Sequence, residues 1–319
     1  MVCVLLTLYE GGIGQLDVQT AVERVSDRLR RAVDPRLRAG FTTVAAVLLE
    51  WADQHDEART LIDRELLGIQ PVGVDGAPDL TNHVHQLLVA THAHRERKEG
   101  RFQQVIAEIT PLLDSARDTT VQLPYFRAMV ADAWYELGRP DLARRQLDIL
   151  GPPPDTAIWT WDEVLCVRAR HHYGYGRWEQ ALADDTTLGE RMARRVFVNP
   201  VGQPWRRGAA LALTRLGHHE QARELAAEHL RHAEDWGAPR HVGTALRTLA
   251  LTQRGRGTLD GDRSTDALAA SRRQGILPSA CGLRTRSGPS RCRTARGPGC
   301  TARAPAARRS PIGPARSEA

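Results

Sequence analysis

The chain has few of the residues on which common catalytic motifs depend. Lys98 is the single lysine among 44 basic residues. It does not lie in the G-x-x-x-x-G-K-[ST] sequence that a phosphate-binding loop requires. Only two serines, Ser26 and Ser115, precede residue 260, and neither lies in the G-x-S-x-G turn of a hydrolase nucleophile. We therefore expect a protein that is not an enzyme and uses no cofactor.

Long apolar segments and closely spaced cysteines are also missing. No apolar run reaches the roughly 18–20 residues that a membrane-spanning helix needs, and the apolar start at residues 1–8 has no cleavage site of small residues. The five cysteines are too far apart for a zinc site or a disulfide framework. These absences predict a cytoplasmic protein with no membrane association and no metal site.

Charge is distributed unevenly. The net charge is +6, yet segment 272–319 holds eleven arginines and one acid, Glu318. This segment is rich in proline and glycine and has no aromatic residue, so it cannot bury enough apolar area to offset chain entropy. We expect residues 1–271 to fold and 272–319 to be a disordered tail. The tail is either an out-of-frame segment that starts near Arg272 or a basic arm that contacts nucleic acid non-specifically.

One turn sequence recurs along the body. Its first position is usually glycine, and a small residue follows five positions later. The copies are Gly138–Ala143, Gly176–Ala181 and Gly217–Ala222, with weaker copies at Asp53–Ala58 and Gly100–Val105. Glycine can end a helix in the left-handed conformation, and the small residue lets the next helix approach closely. The pattern therefore predicts helical hairpins.

Apolar residues between these turns recur at helical spacing, and no alternating strand pattern is present. The turns are separated by 47, 38, 38 and 41 residues, which is longer and less even than the 34 residues of a strict tetratricopeptide repeat (TPR). Hairpins of this kind stack on their neighbours and share one core. The predicted fold is all-α, a right-handed superhelix of TPR-like helical hairpins over residues 1–271.

Tryptophans near the connections between helices are candidates for recognition. Packing between repeats is one interpretation. The other is that Trp205, Arg206 and Arg207 line the concave side, where an aromatic ring and guanidinium groups can hold an anionic or aromatic ligand. With Trp178, these are the predicted binding residues. The expected partner on that concave face is a protein or a small-molecule inducer.

The segment 198–217, which reads VNPVGQPWRRGAALALTRLG, is followed by EQARELA at 220–226 and WGAPR at 236–240. Together they resemble the helical-repeat region of LuxR-type large ATP-binding transcriptional regulators. The resemblance is strongest over 170–260. It implies a module that receives a signal and relays it to an ATPase and a DNA-binding helix-turn-helix.

This chain shows neither a Walker sequence before the repeats nor a helix pair after Ser271 that could form a helix-turn-helix. We therefore expect a truncated member of that family, with no sequence-specific DNA binding. The alternative is a free-standing TPR-like scaffold or adaptor protein.

Overall fold

The computed structural model describes residues 8–68, 83–115, 121–156 and 158–253. Segment 272–319 and its two explanations lie outside the described residues. The described part of the chain consists of helices and their connections and contains no strand, which confirms the all-α class. None of its helices is long and apolar enough to span a membrane.

A short helical segment at residues 8–12 precedes twelve longer helices. These are α1 (Val18–Arg31), α2 (Pro35–Trp51), α3 (His55–Gly68), α4 (His83–Lys98), α5 (Phe102–Ser115), α6 (Leu123–Glu136), α7 (Pro140–Leu150), α8 (Thr160–Gly174), α9 (Trp178–Arg194), α10 (Trp205–Leu216), α11 (His219–Trp236) and α12 (Pro239–Gln253).

All five predicted turns connect two helices that pack against each other, so α2–α3, α4–α5, α6–α7, α8–α9 and α10–α11 are hairpins. In every turn the first residue is left-handed, with φ of 64° at Asp53, 81° at Gly100, 75° at Gly138, 74° at Gly176 and 85° at Gly217. Aspartate replaces glycine at the first turn because it tolerates this conformation better than most residues.

Hydrogen bonding is the same in the five turns. The residue after the left-handed one donates its N–H to the carbonyl five residues earlier, at 2.9–3.0 Å, which satisfies the end of the first helix. Its own carbonyl then accepts the N–H of the small residue at 3.0–3.3 Å and starts the second helix. Those small residues are at most 1% exposed: Ala58, Val105, Ala143, Ala181 and Ala222. The turn motif was therefore predicted correctly at every copy.

The first helices of successive hairpins form a row, because α2, α4, α6, α8, α10 and α12 each contact the next member. The apolar core follows this row. Phe126 and Met129 of α6 pack with residues of α4 and α5, whereas Ala128 and Ala131 on the other side of α6 pack with Val164 of α8. The hairpins therefore share their cores with their neighbours.

Residues near the start of the chain also contact the connection between α9 and α10, a closure that the sequence did not suggest. Val198 N and Asn199 N donate to the carbonyl of Gly12 at 3.0 and 2.9 Å, and Asn199 Nδ2 donates to the carbonyl of Gly11 at 3.0 Å. Gly12 must be glycine, because a Cβ there would lie 1.8 Å from the ring of Phe197.

Three aromatic residues complete this contact. Trp51 at the end of α2 meets Phe197 and Trp236 edge-on, each with ring centroids 6.2 Å apart. Trp236 Nε1 donates to the carbonyl of Trp51 at 2.9 Å. The row of hairpins therefore closes on itself, since its first and fifth members are in direct contact.

Candidate functional site

An apolar groove of about 710 Å³ lies between α9 and α11, with α10 beneath it. Trp205, Ala209 and Leu213 of α10 form its floor, and Leu182 and Leu225 are among the residues of its walls. Because α9 and α11 are the second helices of their hairpins and α10 forms the floor, this groove lies on the side of the second helices. We call it the outer groove and define it by Trp205, Ala209, Leu213, Leu182 and Leu225.

Two of the predicted binding residues meet at this groove. The guanidinium carbon of Arg206 lies 4.5 Å from the centre of the Trp205 ring, and Arg206 Nε donates to Glu228 Oε1 at 2.8 Å. Trp205 packs on Gly189, where a Cβ would approach its ring to 2.8 Å. The buried Nε1 of Trp205 has no hydrogen-bond partner within the described residues. The groove thus has an apolar floor, with the cation of Arg206 stacked beside the Trp205 ring.

A second groove of about 450 Å³ occupies the equivalent position between α5 and α7, over α6. Counting from the hairpin glycines, Leu225 corresponds to Gln146 and Leu213 corresponds to Trp134. The two grooves therefore lie at corresponding positions of different hairpins. The polar and apolar wall positions are exchanged between the two grooves, because Gln221 of the outer groove corresponds to Leu142 of the second groove.

The other two predicted residues lie elsewhere. Arg207 is two positions after Trp205 on α10, about 200° around the helix, and so faces the opposite side. Burial and then the charge of Arg207 lower the pKa of His229, whereas burial raises the pKa of Asp185 and the charge of Arg207 opposes that rise. Trp178 contacts Tyr173 and Arg215 at the other end of α10. The four predicted residues therefore do not form one surface.

The row of first helices carries a network of buried ion pairs. Arg97 of α4 reaches Glu163 of α8 at 2.6 Å and Asp132 of α6 at 3.4 Å, and Asp132 also pairs with Arg170. Gln203 Nε2, just before α10, donates to Glu163 Oε2 at 3.3 Å. Because these charges are largely shielded from water, removing one partner leaves the other uncompensated. The network therefore joins the second, third and fourth hairpins and the connection to the fifth.

No group of three metal-ligating side chains within the described ranges is arranged to hold an ion. Burial raises the pKa of the Cys166 thiol, which makes it a poor nucleophile. Gly14, in the glycine-rich segment after the first helical residues, has φ of +70° and forms a turn before α1.

Sequence reasoning missed a cluster of charged side chains around the turn of the first hairpin. Lys98 at the end of α4 lies 3.5 Å from Glu50, and Arg240 at the start of α12 contacts the ring of His55 at 3.0 Å and donates its backbone N–H to Asp53 at 2.9 Å. A lone lysine in an arginine-rich chain was the available signal, but contacts between distant repeats were needed to interpret it.

No family model matches the chain, and no curated protein or solved structure is significantly similar to it. The geometry described above is therefore what supports a function.

Proposed function

We propose that this chain is a non-catalytic recognition module, a right-handed superhelix of TPR-like hairpins related to the repeat region of LuxR-type large ATP-binding transcriptional regulators. The observation that carries the proposal is the repetition of one turn, with the same conformation and hydrogen bonds, at five places. Stacked hairpins of this kind characteristically present extended binding surfaces.

In this role the outer groove binds a protein partner, and the inner face, on the side of Arg207, binds a small-molecule inducer. Both ligands act on helices of the same hairpins, because Trp205 and Arg207 share α10. A ligand that prefers one arrangement of the hairpins shifts the population of the active regulator. We assign the module to the cytoplasm, where such regulators act, and we assign it no sequence-specific DNA binding.

The test compares two matched substitutions in the full chain. Leu225→Glu places a charge in the wall of the outer groove, and Leu142→Glu places one in the wall of the second groove. Both side chains are only half-buried, so circular dichroism should show intact helices for both variants. Partners captured from a lysate of the encoding cell are then identified by mass spectrometry.

We expect the wild type and Leu142→Glu to retain a partner that Leu225→Glu loses. Capture of a protein with an ATPase or a helix-turn-helix supports the regulator, whereas a partner unrelated to transcription supports the free-standing scaffold. Equal capture by both variants would contradict recognition at the outer groove.

A further inference from the structure

The contact that closes the row is built differently from the contacts between neighbouring hairpins. In the described ranges, extensive packing joins only helices that are at most two elements apart along the chain. The closure is made instead by helix ends and connections, namely Trp51 and Trp236 at the ends of α2 and α11, the turn at Asp53, and residues 197–199 before α10. Regions that are held by fewer contacts than their surroundings open at the lowest free energy. The closure is therefore the joint at which the row is expected to open first.

The start of α12 depends on a side chain of the first hairpin. Pro239 has no N–H, and His241 donates its own to the carbonyl of Ala238 at 3.1 Å. Ala238, the residue before the helix, has no side-chain acceptor that could cap it. The N–H of Arg240 is instead accepted by Asp53 Oδ2 at 2.9 Å, from 187 positions earlier in the chain. A carboxylate at this place also interacts favourably with the positive end of the helix dipole.

Asp53 occupies a turn position at which the other hairpins have glycine. The four glycines have φ between 74° and 85°, and Asp53 has φ of 64°. Glycine adopts this left-handed conformation with less strain than any residue that carries a side chain. It would form the turn at least as well as aspartate, but it could not reach α12. The closure, rather than the turn, therefore accounts for an aspartate at this position.

Closing the row also has an unfavourable component. Asp53 Oδ1 is buried and accepts no hydrogen bond from any described residue, and His241 Nε2 lies 3.7 Å from it. Burial raises the pKa of Asp53, and the N–H of Arg240 opposes that rise. The carboxylate therefore loses part of its hydration when the contact forms. This desolvation offsets some of the favourable bonding and brings the free energies of the closed and open arrangements closer together.

We propose that this contact is a gate, which opens by separating the first hairpin from α12 and from the connection between α9 and α10, and that Asp53 is the residue that holds it closed. Opening uncovers the rings of Trp51, Phe197 and Trp236, which pack on one another across the closed contact. The gate provides two arrangements of the hairpins between which a ligand of the module proposed above would select. The gate itself belongs to the fold and does not involve the outer groove, so gate opening and partner capture are tested independently.

Hydrogen exchange of the full chain measures this opening. Rates at single amides are obtained by mass spectrometry with electron-transfer fragmentation. The marker amides are those of Val198, Asn199 and Arg240, which donate across the closure. The reference amides are those of Met129 and Val130, which lie in the core between hairpins. In the wild type we expect the marker amides to exchange about tenfold faster than the reference amides or more, because the gate opens without global unfolding.

Asp53→Gly removes the acceptor while keeping a residue that suits the turn. It should speed exchange at Arg240 about tenfold. Because the gate opens as a unit, the amides of Val198 and Asn199 should speed up equally, although they donate to Gly12 rather than to Asp53.

Asp53→Asn is the matched control, because asparagine keeps an acceptor oxygen and tolerates the left-handed conformation, so its rates should stay within about threefold of the wild type. Faster exchange at Arg240 alone would indicate a local cap and would overturn the gate. Unchanged rates at all three marker amides in Asp53→Gly, or an equal acceleration at Met129 and Val130, would overturn it as well.

Discussion

Buried histidines should make the protein sensitive to mild acid. His171, His229 and His241 each have a pKa lowered to about 3, in every case mainly by burial. The unfolded chain binds a proton on each ring near pH 6.5. Between pH 6.5 and 3 the unfolded state therefore holds more protons than the folded state, and the free energy of unfolding rises with pH over this range.

The expected size follows from this difference. Each of the three rings lowers the free energy of unfolding by about 1.4 kcal/mol at pH 5.5 relative to pH 7.5. Other groups titrate as well, including His92, whose pKa is raised by its hydrogen bond to Glu108 and which therefore acts in the opposite direction. A variant in which one of these histidines is replaced isolates the contribution of that ring to the pH dependence of the free energy of unfolding.

His229→Gln is the suitable variant, because His229 is buried, at 4% exposed, and burial is the largest cause of its lowered pKa. Urea unfolding at several pH values from 7.5 to 4.5 gives the slope of stability against pH for the wild type and the variant. Below pH 6 we expect the slope of the variant to be smaller by about 1.4 kcal/mol per pH unit, which corresponds to one proton. Identical slopes would refute the assignment of a neutral buried ring.

Further predictions concern backbone conformation and capping. Gly138→Ala should lower the free energy of unfolding by about 1–2 kcal/mol, because φ is +75° while the space around a Cβ is open, and Gly138→Asn should cost less. Asn199→Ala should cost about 1–3 kcal/mol through the lost buried bond to the carbonyl of Gly11, and hydrogen exchange near Gly11 should speed up. Asp17→Ala should cost about 1 kcal/mol, measured by urea unfolding, since its carboxylate accepts Thr20 N at 2.9 Å.

The hairpins were predictable because their determinants are local. A left-handed residue and a small residue five positions later specify both the end of one helix and the start of the next, so Gly138 and Ala143 could be interpreted together without knowledge of the rest of the chain. Asp53 was recognisable on the same grounds, although it is not glycine. Nothing local, however, specifies which hairpins meet at the closure.

The candidate site was less predictable for the same reason. Trp205, Arg206 and Arg207 are adjacent in sequence and were expected to act together, but helical rotation sends the first and the last to opposite faces of α10. Lys98 and Arg240 come together because both contact the turn region of the first hairpin, Lys98 through Glu50 and Arg240 through His55. To predict such contacts between distant hairpins, one must know the curvature of the whole row of helices, which depends on the packing between every pair of neighbouring hairpins.

Closure between residues 185–188 positions apart has a consequence for protein synthesis. At roughly 5–20 residues per second, a ribosome adds the partners of Trp51 about 10–40 s after Trp51 itself has been made. During that interval the edge of the first hairpin is an uncovered apolar surface on the nascent chain. Any translation product that stops before residue 195 keeps this surface permanently uncovered, and such fragments should depend on chaperones or be degraded.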